Sequence, residues 1–240
     1  MFKYPTKKCG PAIKYHKCNR KSVSMTVNSL KYRNEIARKL LHMSSFVIVF
    51  FIYFVSRKTA CIVIGALFLF LFIGNTILLS SRFQFLNAFK IKHFSFLLRE
   101  NEKNGYISSN WFLFGCFLSV LLFSKTIAML AITVLIFGDA FAAFIGMRFG
   151  KHKFKNGKSL EGTLGFIGIS SLFAAIFCFL FDPGFPFAVS AALTIPIVAL
   201  VELYSKQIKT DDNLTIPISF GILMTIFMLL FETLNLCVSC

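Results

Sequence analysis

Four carboxylates stand out by where they fall. Asp139 lies in Phe137-Gly138-Asp139-Ala140-Phe141, inside a long apolar run. Glu161 ends a basic stretch, Glu202 occupies the last turn of another apolar run, and Asp211-Asp212-Asn213 opens a third. A charge inside a membrane segment is costly, so each is a functional hypothesis by default. The plainer alternatives are an assembly ion pair for Asp139 and a helix N-cap for Asp212. Small residues (Gly138, Ala140, Ala142, Ala143 and Gly146) surround Asp139 and admit close approach of a helix or a ligand. The segment from Arg148 to Gly162 carries Gly150, Lys151, Lys153, Lys155 and Lys158, then Ser159-Leu160-Glu161-Gly162 at an expected helix start. Backbone amides and the helix dipole at such a start suit phosphate. Gly157-Lys158-Ser159 is no P-loop, because His152 stands where that motif needs its first Gly. An acid beside a phosphate-binding loop is tolerated when a divalent cation lies between them. Carboxylates converging with lysines point to a magnesium-bound polyphosphate. Arg38-Lys39-Leu40-Leu41-His42 opens another apolar run; charge at a membrane boundary accounts for Arg38 and Lys39 but not for His42.

These residues have to be positioned by membrane helices. The 240 residues are 56% hydrophobic and 15% charged, against about a quarter charged in a soluble domain. Mean hydropathy is +0.73. The apolar residues come in unbroken runs, which a bilayer accepts as helices of roughly 20 residues. Seven spans are expected, near 40–56, 60–80, 109–124, 126–148, 162–181, 186–204 and 213–234, giving an all-α polytopic bundle. With the N-terminus inside, 23 of the 26 Lys and Arg fall on inner segments and three on outer ones, a strongly lopsided positive-inside split. Net charge of +16 then reads as leaflet anchoring rather than nucleic-acid binding. All four carboxylates face the inner, cytosolic side. On a regular helix Asp139 lies about ten residues from that face, roughly 15 Å deep, so meeting a nucleotide at the surface requires either a helix break near Gly138 or Gly146 or a water-filled cavity of that depth.

Residues 1–33 read as a basic cytosolic arm and 34–240 as the membrane catalytic domain. Met25 is an alternative start, and no secretory signal is expected. Cys9, His16 and Cys18 lack a fourth zinc ligand. Cys61, Cys116 and Cys178 read as small hydrophobes, and the terminal Cys237-Val238-Ser239-Cys240 carries no functional reading. The 81–108 segment interleaves Phe83, Phe85, Leu86, Phe89 and Phe94 with Arg82, Lys90 and Lys92, as an interfacial amphipathic stretch or a solvated connector would.

Gly138-Asp139 through Gly146, Arg148-Phe149-Gly150-Lys151, and Lys158-Ser159-Leu160-Glu161-Gly162 resemble the CTP-dependent lipid kinases: dolichol kinase, phytol kinase and yeast-type diacylglycerol kinase. Arg38-Lys39-Leu40-Leu41-His42, Arg99 with Glu102, and Glu202 followed by Asp212-Asn213 are similar to the group's flanking motifs, so the resemblance covers most of residues 34–220. The related phosphatidate cytidylyltransferases share the Lys-x-x-Glu-Gly element, but their longer C-terminal signature with paired aspartates is missing. The resemblance implies transfer of the CTP γ-phosphoryl group to the hydroxyl of a membrane lipid alcohol, with Mg2+, at a bacterial inner, endoplasmic reticulum or plastid membrane. It implies Lys151 and Lys158 on phosphate, together with Arg99, Gly146, Gly150, Ser159 and Gly162. Glu202, Asp212 and Asn213 would hold metal. Asp139 would be base or metal ligand, and Glu161, Arg38, Lys39 and His42 would complete the catalytic set. An ion-coupled transporter is the rival from another class, but no inverted repeat supports it.

Overall fold

In the computed structural model all seven apolar runs are helical, and the chain is an all-α polytopic bundle. The backbone is described for residues 20–79, 105–205 and 210–238, and side chains for 32–79, 105–205 and 210–234. Arg99, the 81–104 stretch, the Cys9, His16 and Cys18 set and the side chains of Cys237 and Cys240 lie outside the described residues.

Helix α1 (Arg20–Ser44) is followed after a tight turn by α2 (Val47–Phe54), then by α3 (Arg57–Leu79) and α4 (Ser108–Leu122). α5 (Lys125–Thr133), a π-helical turn (Val134–Gly138) and α6 (Asp139–Phe149) form one continuous rod. α7 (Leu160–Phe181), α8 (Phe185–Tyr204) and α9 (Asp212–Val238) complete the chain. Six of the described stretches are long and apolar enough to cross a bilayer; α4, at 15 residues, is the short one. The first span, Tyr32–Phe54 among the described residues, takes in the C-terminal part of α1 and all of α2.

The rod is the core. Of its apolar window 78% is buried, against 50% at most for any other span. Leu130, Ile132, Leu135 and Ile136 are fully enclosed, in one cluster with Phe166 of α7, Ile195 and Val198 of α8, and Ile216 and Phe220 of α9. From Asp139 to Phe149 the helix is regular, as the depth count assumes; the irregularity lies just before it, ending at Gly138, one of the two positions at which a break is expected. A π turn inserts one extra residue, which rotates everything after it by about 100°. Gly138 closes that turn against α7. A Cβ there would come within 2.7 Å of the Phe166 ring and 2.8 Å of Ser170 Oγ. The missing side chain is what lets the two helices touch at this level.

Among the described residues, Arg57, Lys58 and Lys125 are the basic residues expected on the face away from the N-terminus. Two of them serve helix ends. Lys125 Nζ donates to the carbonyls of Tyr53 and Val55, both at 2.8 Å, at the C-terminus of α2. Arg57 donates to the carbonyls of Val120 (2.9 Å) and Leu121 (2.6 Å) at the end of α4. Cations there satisfy orphan carbonyls and oppose the helix dipole. Their position follows from helix capping, so they do not weaken the charge-bias topology.

Candidate active site

At the opposite end, the face bearing the N-terminal helix, six segments converge on one cavity of about 950 Å³. α1 contributes Tyr32, Glu35 and Lys39; α6 contributes Asp139, Ala142, Ala143, Gly146 and Met147. The 150–159 loop adds Lys153, Gly157, Lys158 and Ser159, and α7 adds Gly162 and Thr163. Glu202 closes it from α8 and Asp212 from α9.

Three of the four flagged carboxylates meet here. Asp139, Glu202 and Asp212 each place an oxygen within 4.8 Å of the others, with Asp139 and Glu202 buried. Asp139, set just after the π turn, forms a buried ion pair with Lys39, a hundred residues away. Lys158 Nζ is held by Glu202 Oε1 at 2.7 Å, Asp212 Oδ2 at 3.2 Å, Ser205 Oγ at 3.1 Å and the Glu202 carbonyl. Burial pulls the Lys158 pKa down, but Asp212 and Glu202 outweigh it and hold the pKa above its ordinary value. The pairing assigned to Lys39 and Ser205's part in the cage carried no motif. The spacing of Ser205 three residues after Glu202, one turn along the same helix end, was the one available signal.

The basic loop is folded into a small clamp. Phe154 N donates to the Lys158 carbonyl at 2.8 Å, and an isolated antiparallel bridge joins Lys153 to Ser159. Gly157 takes φ +83°, the left-handed region a turn here requires. Asn156 tethers the loop to α8, its Nδ2 donating to the Leu203 carbonyl at 2.5 Å. Ser159 caps α7 by accepting from Gly162 N at 3.2 Å, and Leu160 N donates to the His152 carbonyl at 3.0 Å. Two of the first-turn amides expected to meet phosphate are therefore engaged within the protein. Gly146 and Gly162 pack where α6 crosses α7; a Cβ on Gly162 would come 2.8 Å from the Ala142 carbonyl. Their small size permits that crossing.

The other sequence candidates take different positions. Glu161 points into the loop, accepting from His152 Nδ1 at 2.8 Å and from its backbone N at 3.2 Å, and it does not line the cavity. Lys151 is exposed and off the cavity wall, whereas Lys153 is on it. Arg38 pairs with Glu35 at 2.5 Å. His42 packs edge-on against Phe112, its Nε2 buried with no hydrogen-bond partner. Asn213 donates to Ser108 Oγ and Asp211 Oδ1, both at 2.8 Å, instead of joining the carboxylates. Gly150 packs against Gly146 and Ser159.

The chain is 30% identical over 204 residues to "Uncharacterized protein RP860" of Rickettsia prowazekii, spanning 80% of this chain and 94% of that protein. It belongs to that protein's family. It is also 25% identical over 213 residues to CTP-dependent diacylglycerol kinase 1 of Saccharomyces cerevisiae, covering 80% of this chain and 73% of the yeast protein. Its identity to CTP-dependent diacylglycerol kinase 1 of Schizosaccharomyces pombe is 27% over 143 residues, 55% of this chain and 65% of the relative. These two kinases are distant homologues. No family model and no solved structure matches the chain.

The donor set fits a hard divalent cation. It consists of carboxylate oxygens from three helices, close enough to share one ion. Asp212 Oδ1 is buried without a hydrogen-bond partner, which leaves a free lone pair at the cluster. Counting Lys39 and Lys158, the five charged groups carry one net negative charge.

Proposed function

We propose that the protein is a CTP-dependent kinase of a membrane lipid alcohol, forming the lipid phosphate and CDP. The observation that carries this is the cavity at the polar end of the bundle, with three carboxylates and Lys39, Lys153 and Lys158 on its wall. Distant homology to two CTP-dependent diacylglycerol kinases supports the nucleotide and the lipid hydroxyl as substrates. The cytosolic face, the dolichol, phytol or diacylglycerol identity of the acceptor, and Mg2+ are parts of this proposal.

Asp139, Glu202 and Asp212 would hold Mg2+, whose charge there would neutralise phosphoryl oxygens. The chain's own residues do the positioning. The lysine ammoniums reach the cavity as phosphate donors, and Lys158 stays protonated because its neighbours raise its pKa. With Gly162 and Leu160 amides already bonded, phosphate contact falls to these side chains. Ala142, Ala143, Gly146 and Met147 give the cavity an apolar side within the membrane helices, suited to a lipid whose hydroxyl ends near Asp139. A carboxylate among the three accepts the hydroxyl proton; a loose phosphoryl transition state does not demand a strong base.

The test uses purified protein in detergent with γ-labelled and α-labelled CTP, and ATP in parallel, against dolichol, phytol, diacylglycerol and phosphatidate. Label from the γ position in a lipid phosphate, with CDP released, is the expected result. Release of pyrophosphate with α label in the lipid would make the chain a cytidylyltransferase instead. Nucleotide-independent flux in liposomes would support a transporter.

A further inference from the structure

Each of the three carboxylates that would hold a cation already has an ammonium. Lys39 is on Asp139, and Lys158 is on Glu202 and Asp212 together. Lys158 is more than loosely placed: three acceptor groups besides Asp212 surround its Nζ, with Ser205 and the Glu202 carbonyl among them. Nζ lies within 3.2 Å of oxygens of both Glu202 and Asp212. A divalent ion taking those oxygens would sit close against an ammonium, in a setting where like charges are poorly screened. The lysine would have to leave, giving up the Glu202 and Asp212 carboxylates, the Glu202 carbonyl and Ser205 Oγ together. A polyphosphate in the cavity changes this balance. It offers each lysine new anionic oxygens and releases the carboxylates to the metal.

We infer that Lys39 and Lys158 are resident counter-ions that make divalent-cation binding conditional on nucleotide. The inference rests on the phosphotransfer reading above. Without nucleotide the lysines hold the carboxylates in place and keep cations out. With nucleotide the same ammoniums turn to phosphate, so metal and nucleotide bind with positive coupling, each strengthening the other by the same factor. Lys158 carries most of the effect, because it bridges two of the three ligands.

The test is Mn2+ titrated into detergent-purified protein without nucleotide, free Mn2+ being read by electron paramagnetic resonance. Equilibrium dialysis with labelled CTP and Mn2+ is run on the same preparations. Wild type is expected to bind Mn2+ weakly when alone. Lys158→Met and Lys158→Gln are expected to bind it at least about tenfold more tightly while losing at least about tenfold in CTP affinity. Opposite signs are the signature, since a merely structural lysine would weaken both. Tight Mn2+ binding by nucleotide-free wild type overturns the inference whether or not either variant folds. So does a well-folded variant that gains no Mn2+ affinity. Failure of wild type to bind labelled CTP with Mn2+ removes the phosphotransfer reading instead, and the nucleotide-free Mn2+ comparison still decides whether Lys158 excludes the cation.

Discussion

The buried pair between Lys39 and Asp139 allows a separation of assembly from chemistry. Asp139→Asn leaves an ammonium facing an amide in a site where both partners are about nine-tenths buried. Breaking such a pair from one side costs about 3–5 kcal/mol, and the adjoining cavity, which lets water approach, puts this case near the lower end. A loss of about 3 kcal/mol lowers the unfolding temperature by roughly 6–12 °C for a chain of this size. Lys39→Met should cost a similar amount, leaving the carboxylate stranded. The double variant Lys39→Met/Asp139→Asn removes both charges, and replacing a buried pair with neutral groups of similar volume is often close to neutral. Thermal unfolding in detergent should therefore show both single variants destabilised and the double variant within about 1 kcal/mol of wild type. Lipid phosphorylation, on the proposed function, should be abolished in all three, because Asp139 and Lys39 also line the cavity assigned to the reaction. A double variant that recovers both stability and turnover would refute the catalytic role and make the pair an assembly device. A double variant as unstable as either single would refute the coupling on which the design rests.

Three further outcomes follow from other parts of the fold. Gly138→Ala should destabilise by about 2 kcal/mol and lower turnover, since the new Cβ meets Phe166 and Ser170 under 3 Å; Gly168→Ala, whose Cβ meets nothing within 4 Å, should change neither. Thermal unfolding and turnover of the two variants make the comparison. Lys125→Met removes two bonds to the end of α2 and should cost about 1 kcal/mol with turnover per folded molecule unchanged; equal loss of turnover would assign Lys125 a role the geometry does not give it. The raised pKa of Lys158 means its stabilising charge is fully present below the ordinary lysine value and is lost only as pH climbs through the raised one. The difference in unfolding temperature between wild type and Lys158→Met should then be flat between about pH 6 and 9 and shrink only above that range. A step inside it would contradict the assignment.

Much of the bundle was legible because the signals were local. Long apolar runs state helices, and Arg57 and Lys125 are explained once α2 and α4 are seen to end beside them. The acids Asp139, Glu202 and Asp212 were legible singly, as charges whose burial demands a reason. Lys39 and Lys158 were legible as site residues too, but which acid each would pair with was not. Lys39 had a sufficient explanation in its own segment, as one of many cations at a membrane boundary, and nothing local in sequence links it to Asp139. Glu161 was singled out by adjacency to the basic loop, and the structure places its carboxylate on His152 within that loop, away from the other three acids.

The facing of Asp139 is where local reasoning met its limit. Its depth was countable, because the residues from Asp139 to Phe149 form a regular helix and the cavity reaches the carboxylate at its buried end. Its direction was not, because on the other side of Asp139 the rod makes a π turn over Val134–Gly138. One inserted residue changes the facing of Asp139, Ala142, Ala143 and Gly146 together, which is how they come to share a wall with Lys158 and Glu202. A π turn is costlier than a regular one and persists where tertiary contacts require it. Here the close contact of Gly138 with Phe166 and Ser170 supplies such a requirement. The sequence does carry a trace of it, a glycine directly before a buried acid, but a trace of one residue is intelligible only once the helix it touches is known. Position along the chain told which residue was under strain to be functional; the packing of α7 against the rod decided which way it would face.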